Sequence, residues 1–298
     1  PLEESVYDPA ALLKWVKGFD AIIAGSEPWP RSVIAAVPEV RVLSRTGVGF
    51  DAIDMAACDD HGVVVATTPG VNHHAVAEHT MALLFGCGRG FPKRDAVVRT
   101  GTWERFSTPR IMGQTLGIVG LGRIGRAVAT RAAGVGMKLL AYDPYPPLEF
   151  ADQWNVTFCS LDELLARSDY VTLHLPVSPE TKNIINARTL GLMKPGSILI
   201  NTARGALVDE IALEAALRSG HLRGAGLDVF QIEPLPLNSP LLKLDNVLTS
   251  GHVAGLDNES QHDTLVMAAD TIIQLHSGNW PAERVRNLAG VKNWKWIR

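Results

Sequence analysis

The sequence predicts an α/β fold, a doubly wound parallel sheet together with a second, smaller α/β unit. Three observations lead there. Short apolar runs recur along the chain with helical stretches between them, the rhythm of parallel strands covered on both faces. A glycine-rich turn, Gly120-Leu121-Gly122-Arg123-Ile124-Gly125, falls between one such strand and one such helix. An independent strand–helix alternation occupies the residues before about 74, ahead of that turn. A chain of 298 residues is long for one core and comfortable for two.

The elements follow in order. Asp8-Pro9 starts a helix, an acid at the N-cap and proline at the first helical position, and the helix runs through Leu12, Leu13, Trp15 and Val16 to Gly18. Strands are expected at 20–24, 40–44 and 63–66, with a short helix before the second and a helix of about 55–60 before the third. The second strand opens into Arg45-Thr46-Gly47-Val48-Gly49-Phe50-Asp51. Residues 74–91 read as one long helix rich in small residues that bridges the two units, and 94–111 as a helix with a surface excursion. Strand 115–119 enters the glycine turn, the helix behind it stops at Gly134, and strand 138–142 delivers Asp143. Ser160-Leu161-Asp162-Glu163 is a capping-box start. Strands at 169–174, 198–201, 225–230 and 247–249 follow, with a helix over 209–219 among them. The last helix, about 259–277, leads to a tail containing Trp280, Trp294 and Trp296.

Composition narrows the function classes. Hydrophobic residues make up 46% and charged residues 20%, ordinary for a soluble globular protein. A formal charge of −3 gives no broad attraction to nucleic acid or to acidic membranes, and neither is expected as a partner. No apolar run approaches the roughly 20 residues of a membrane helix. Cys58, Cys87 and Cys159 are scattered and odd in number, which suits reduced thiols in a cytoplasmic protein better than disulfides or a zinc cluster. No segment reads as a signal peptide, although a chain starting at Pro1 without Met does not display its natural start.

The glycine turn carries the first chemistry. Its spacing fits the dinucleotide fingerprint: Gly120 permits the tight turn, Gly122 lets backbone approach a pyrophosphate, and Gly125 lets the helix pack close to the strand. Arg123 and Ile124 open the helix, whose N-terminal N–H groups favour an anion. Asp143 lies eighteen residues past Gly125, near the roughly 20 expected of a ribose-binding acid. Its carboxylate accepts hydrogen bonds from a 2′-hydroxyl and repels a 2′-phosphate, and Pro144-Tyr145-Pro146 brings no arginine to neutralise one. The expected cofactor is NAD rather than NADP.

Arg204, Glu233 and His252 each sit just past the carboxyl end of an expected strand, the edge where open α/β sheets bind ligands. Singly, each has an ordinary explanation as a loop, turn or capping residue. Together, beside a dinucleotide turn, they suffice for reversible hydride transfer at a hydroxyl carbon. The arginine fork grips a carboxylate and polarises the adjacent carbonyl. The histidine exchanges the hydroxyl proton near neutral pH. The glutamate holds the other ring N–H and stabilises the imidazolium.

From Arg45 to His252 the chain resembles the D-isomer-specific 2-hydroxyacid dehydrogenases. The resemblance rests on Gly47–Asp51, Val76-Ala77-Glu78-His79, Gly117–Gly125, Asn201–Gly205, Leu227-Asp228-Val229-Phe230, Glu233-Pro234 and Gly251-His252. It implies that Arg204, Glu233 and His252 are the catalytic trio. It also implies that a Rossmann domain, residues 75–257, is inserted in a flavodoxin-like substrate domain made of 1–74 and 258–298, with the active site in the cleft between them. Substrate contacts then fall on Arg45, Val48, Gly49, Arg204 and His252, the Val48–Gly49 amides forming a nest for a carboxylate. Cofactor contacts fall on Gly120, Gly122, Arg123, Ile124, Gly125, Asp143, His174, Pro176, Thr181, Thr202, Ala203, Asp228 and His252. A homodimer through residues 91–111 is implied too. His73, His74 and His79 lack the further ligands that a metal site needs and are read as structural, so no metal is expected.

The subgroup acting on 3-phosphoglycerate is suggested by Gly101-Thr102-Trp103-Glu104-Arg105 and by Arg45. Two positions depart from the pattern: Gly251 stands where proline usually precedes the histidine, which should loosen that loop, and Asp59-Asp60-His61 stands where a second basic residue would face a phosphate. The expected substrate is a D-2-hydroxy acid or 2-keto acid, with 3-phosphoglycerate, hydroxypyruvate and glyoxylate among the options. The alternatives are an NAD-sensing binding module of the corepressor type and a formate- or phosphite-type oxidoreductase on the same fold.

Overall fold

The computed structural model describes residues 6–288 and 294–296. The chain divides into two compact units, residues 1–72 with 256–298, and residues 73–255.

In the first unit the elements run α1 (Pro9–Val16), β1 (Ala21–Ala24), α2 (Arg31–Ala36), β2 (Val42–Arg45), α3 (Met55–His61) and β3 (Val64–Ala66). Two of the helices start on carboxylates, Asp8 accepting from the Ala10 N–H and Asp54 from the Ala57 N–H. The strands form a parallel sheet in the order β1-β2-β3. Trp29, Val33, Ile34, Leu43 and Val65 fill one face. On the other lies the last helix, Asn258–His276, where Leu275 packs on Val42 and Val64 and the Ser44 hydroxyl donates to the Ala268 carbonyl. The tryptophan tail has a structural anchor. Arg41, nearly buried, donates to the carbonyls of Lys295 and Trp296 and lies over the Trp294 ring.

The second unit opens with α4 (His73–Gly88) and α5 (Phe91–Arg99), then β4 (Thr115–Val119), α6 (Arg123–Gly134) and β5 (Lys138–Tyr142). The helix expected over 74–91 thus ends at Gly88, and the helix expected within 94–111 begins three residues early, at Phe91. Gly90 at φ +65° turns the chain between them, a conformation a helix interior does not contain. Next come α7 (Leu148–Trp154), β6 (Val156–Phe158), α8 (Leu161–Arg167), β7 (Tyr170–Leu173), α9 (Ala187–Leu192) and β8 (Ser197–Asn201), then α10 (Glu210–Arg218), β9 (Leu222–Leu227) and β10 (Val247–Thr249), which makes the last helix of the chain α11. The seven strands are all parallel, in the order β10-β9-β8-β7-β4-β5-β6. Apolar clusters cover both faces, one built with α4 and α6, the other with α8, α9 and α10, as a doubly wound sheet requires.

Three elements, α7, β6 and α9, were not expected from the sequence. β6 is a three-residue edge strand, too short for a period to register, and α9 is a six-residue helix carried by an Asn186–Thr189 capping box. β9 ends at Leu227, three residues before the expected limit, so Asp228, Val229 and Phe230 lie beyond the strand. Among the described residues no helix is long and apolar enough to cross a membrane.

Candidate active site

The site of the second unit gathers at the carboxyl ends of β4, β5, β7, β8, β9 and β10. β4 leads into Gly120, whose φ of +98° brings its backbone against His174, so close that a Cβ there would lie 2.8 Å from the His174 carbonyl carbon. At Gly125 a Cβ would stand 2.1 Å from the Gly120 carbonyl oxygen; only hydrogen fits. Gly122 differs, because the space above it is open. It is the N-cap of the twelve-residue α6 and brings no side chain to cap the helix, which leaves the amides of the first turn facing that space. Asp143, at the end of β5, accepts the Leu121 N–H on Oδ2 at 2.7 Å and the Tyr145 N–H on Oδ1 at 2.8 Å. Each oxygen retains a second lone pair, enough for a ribose hydroxyl. An open anion cradle beside a held carboxylate fits a dinucleotide.

β7 ends at His174. Its Nε2 pairs with the Thr172 hydroxyl at 3.0 Å, and its Nδ1 is closed to solvent without a partner among the described residues. Burial pushes its pKa down to about 3 from 6.5, so the ring is neutral. Between those values the unfolded chain binds a proton that the folded chain does not, and stability therefore falls as pH falls below 6.5. The slope is at most about 1.4 kcal/mol per pH unit. His174→Gln should lack that component: the stability gap between the wild type and the variant, measured by denaturant unfolding, should narrow from pH 7 to pH 5. A gap independent of pH would refute the neutral assignment. Farther along the loop, the Thr181 hydroxyl donates to the Pro176 carbonyl and accepts from the Ser178 N–H, both at 2.7 Å, and so closes the turn over 176–181.

Past β8 the chain is fixed residue by residue. The buried Asn201 amide accepts from the Ala203 N–H and donates to the Arg204 carbonyl. The Thr80 hydroxyl gives its proton to the Val76 carbonyl, so Thr202 must be the donor in the 2.8 Å contact between the two hydroxyls. The Arg204 guanidinium donates to the Ala203 carbonyl at 2.6 Å. At Gly205 a Cβ would fall 1.9 Å from the Phe230 carbonyl carbon. The loop holding Arg204 thus presses, backbone to backbone, on the loop that leads to Glu233.

Glu233 accepts the Phe230 N–H on Oε1 at 2.9 Å, and its Oε2 lies 2.7 Å from His252 Nδ1. Burial pushes the Glu233 carboxyl up, but the bonds from His252 and Phe230 and the charges of His252 and Arg204 outweigh it, and the group stays below the ordinary range. An ionised glutamate accepts only, so Nδ1 carries the proton of this pair. His252 has φ +56° and remains partly exposed. The trio Arg204, Glu233 and His252 comes from three separate strand ends on one edge. In the first unit, the Arg45 guanidinium donates to the Thr46 carbonyl, and the Thr68 N–H holds the Gly47 carbonyl, which leaves Val48 exposed at the turn with Gly49 beside it.

Residues 81–254 match the family described as D-isomer specific 2-hydroxyacid dehydrogenase, NAD binding domain. The chain belongs to this family. It is 41% identical to the D-3-phosphoglycerate dehydrogenase of Mycobacterium leprae (strain TN), a match covering 96% of this chain and 54% of that protein. To the glyoxylate reductase of Korarchaeum cryptofilum (strain OPF8) it is 38% identical, over 95% of this chain and 87% of the relative. Among solved structures, D-lactate dehydrogenase from Aquifex aeolicus complexed with NAD and lactic acid superposes with a TM-score of 0.82 at 30% identity, covering 90% of this chain and 86% of that one. The chain spans about half the length of the phosphoglycerate dehydrogenases it matches.

In this member of the family the loop with Gly251 is more constrained than the missing proline suggests. Asp228, fully buried, accepts the Val253 N–H at 3.0 Å and the Ser250 hydroxyl at 2.6 Å on Oδ1, and the Ala254 N–H at 2.9 Å on Oδ2. Its backbone carbonyl takes the His252 N–H at 2.7 Å. Asp228, placed in the sequence among the nicotinamide contacts, thus devotes its carboxylate to the histidine loop. Sequence reasoning did not single out Ser250 or Asn201, because their partners depend on which strand ends meet and no local spacing announces that.

Proposed function

We propose that the protein is an NAD-dependent D-2-hydroxyacid dehydrogenase, interconverting a D-2-hydroxy acid and its 2-keto acid. The observation that carries this reading is the 2.7 Å pair of His252 and Glu233 on the strand-end edge that also holds the glycine turn. Bound NAD supplies a hydride acceptor at nicotinamide C4, or a donor in its reduced form. The protein's own part is binding and proton transfer. The amides opening α6 receive the pyrophosphate, and Asp143 receives the ribose hydroxyls. Arg204 grips the substrate carboxylate through its planar fork and polarises the C2 carbonyl. With Nδ1–H directed at Glu233, His252 is left with Nε2 to take the hydroxyl proton in oxidation and return it in reduction. The charge of Glu233 stabilises the ring while it carries both protons. The backbone amides of Val48 and Gly49 are assigned to the substrate carboxylate as well, and Arg45 to the substrate.

The experiment is NADH oxidation with glyoxylate, hydroxypyruvate, 3-phosphohydroxypyruvate and a longer aliphatic 2-keto acid. Turnover of at least one is expected; none with any of them overturns the reading. The relatives favour small or phosphorylated acids. The residues where a second phosphate-facing base would stand have local partners instead, Asp60 with Arg31 and Asp59 with Asn287.

Asp143 favours NAD over its 2′-phosphorylated form. Its two oxygens stand at the ribose position with no cation at 144–147 to offset a phosphate. We expect kcat/KM for NADH to exceed that for NADPH by at least about tenfold, roughly the 1.4 kcal/mol of one unfavourable charge contact. Equal values would refute it. A homodimer through residues 91–111 is supported by the exposure of Phe91, Val98 and Trp103 on that stretch. Free thiols at Cys58, Cys87 and Cys159 support a reducing compartment such as the cytoplasm.

A further inference from the structure

We propose that His79 is a positioning residue for His252, acting through Ser250 and the buried carboxylate of Asp228. His79 lies on α4, in the middle of the helix, and its Nε2 stands 2.7 Å from the Ser250 hydroxyl oxygen and 3.6 Å from Asp228 Oδ1. Counting protons orders this chain. Asp228 has none to give, so the single hydroxyl proton of Ser250 goes to its Oδ1. The Ser250 oxygen is then an acceptor, and His79 must present Nε2–H to it. The direction runs from His79 through Ser250 to Asp228, each group held in one role.

What the chain controls is the backbone at His252. That residue has φ +56°, a left-handed conformation uncommon for a residue with a side chain. It is held there by contacts that all end on Asp228: the His252 N–H on its carbonyl, and the Val253 and Ala254 N–H groups on its carboxylate. Ser250 and Val253 share the same oxygen, Oδ1, so the rotation of the carboxylate decides whether both are satisfied. His79 fixes that rotation from the helix side. Among the described residues only the Glu233 carboxylate is bonded to the His252 ring itself, with the charge of Arg204 acting on that glutamate. The ring direction therefore depends on the backbone from which it projects. Without the His79 donor, Ser250 can rotate and the loop loses its common anchor, a buried polar network left half satisfied.

The inference rests on the reading of His252 as the acid–base group, and the test separates the two. Four full-length variants are compared: His79→Leu, which removes the donor at similar bulk; His79→Gln, whose amide N–H can replace Nε2–H; Ser250→Ala, a smaller change to the same chain; and His252→Ala. With NADH and hydroxypyruvate, His79→Leu and Ser250→Ala should each lower kcat about tenfold, short of the roughly 10²-fold that a full ångström of misplacement can cost. KM for NADH should change less than about twofold, as for an interaction felt in the transition state alone. His79→Gln should recover kcat to within about threefold of wild type. A second readout needs no turnover. In the cofactor-free protein the imidazole ¹⁵N resonances of His252, identified by their loss in His252→Ala, should move in His79→Leu and in Ser250→Ala and return toward wild type in His79→Gln.

Unmoved His252 resonances in the Leu and Ala variants overturn the proposal, as do equal losses in the Leu and Gln variants. A thermal melt lowered in His79→Leu with kcat and the His252 resonances unchanged would mean a structural role only, and also overturns it. Should His252→Ala keep its turnover, the catalytic reading falls, while the resonances still decide whether His79 positions the loop.

Discussion

His252→Ala should lower kcat by about 10²- to 10⁴-fold, the range over which a positioned acid–base group contributes. Removing the imidazole takes away the group bonded to Glu233 Oε2 and leaves that half-buried carboxylate with the Phe230 N–H and the charge of Arg204. NADH affinity should change little, because the glycine turn and Asp143, the groups proposed to hold the cofactor, lie at the separate ends of β4 and β5. The measurement is kcat for 2-keto acid reduction together with NADH binding by fluorescence titration. Turnover within tenfold of wild type would remove His252 from the mechanism. A loss of NADH binding alone would make it a cofactor ligand.

Gly205→Ala should be nearly as damaging to activity, although residue 205 has no chemistry of its own. The new methyl would lie 1.9 Å from the Phe230 carbonyl carbon, 2.0 Å from its oxygen and 2.4 Å from the Gln231 nitrogen, all backbone atoms. No rotamer relieves a clash with backbone, so the two loops must separate. One carries Arg204; the other provides the Phe230 N–H that holds Glu233. A shift of about 1 Å between a carboxylate clamp and an acid–base pair costs up to about 10² in rate, and overpacking of this kind typically costs 1–3 kcal/mol of stability. Expected results are a kcat/KM lower by about two orders of magnitude and a reduced unfolding midpoint. Wild-type kcat/KM in a folded variant would mean that the approach of the loops is not what aligns the site.

The sequence disclosed the parts of the site that depend on local spacing. Gly120, Gly122 and Gly125 stand in the fixed interval of strand, turn and helix, and Asp143 follows at the next strand end, so a dinucleotide cradle could be read directly. Arg204, Glu233 and His252 were legible as strand-end residues, since parallel strands bring all their carboxyl ends to one edge. What could not be read were the pairings between those ends. Ser250 meets a histidine 171 residues earlier in the chain, and Gly205 meets Phe230 because β8 and β9 happen to be neighbours. Short elements were lost for another reason. β6 and α9 have three and six residues, less than two periods of their patterns, and draw their stability from packing and capping rather than from sequence preference. Only the ends shifted between the first two helices of the second unit: Gly90 at φ +65° separates them, and the second starts at Phe91 rather than Arg94.

The left-handed backbone of His252 has a consequence for how this loop can change over time. Such a conformation costs of order 1–3 kcal/mol for a residue with a Cβ, and glycine would adopt it freely. A protein selected for stability alone would therefore drift toward glycine at position 252, and toward any residue at 228 that lets the loop relax. On the proposed function, it is the demand for turnover that keeps histidine at 252. Stability and activity thus compete over one dihedral angle, and a relative that no longer needs to turn over substrate should lose this angle before it loses the glycine cradle.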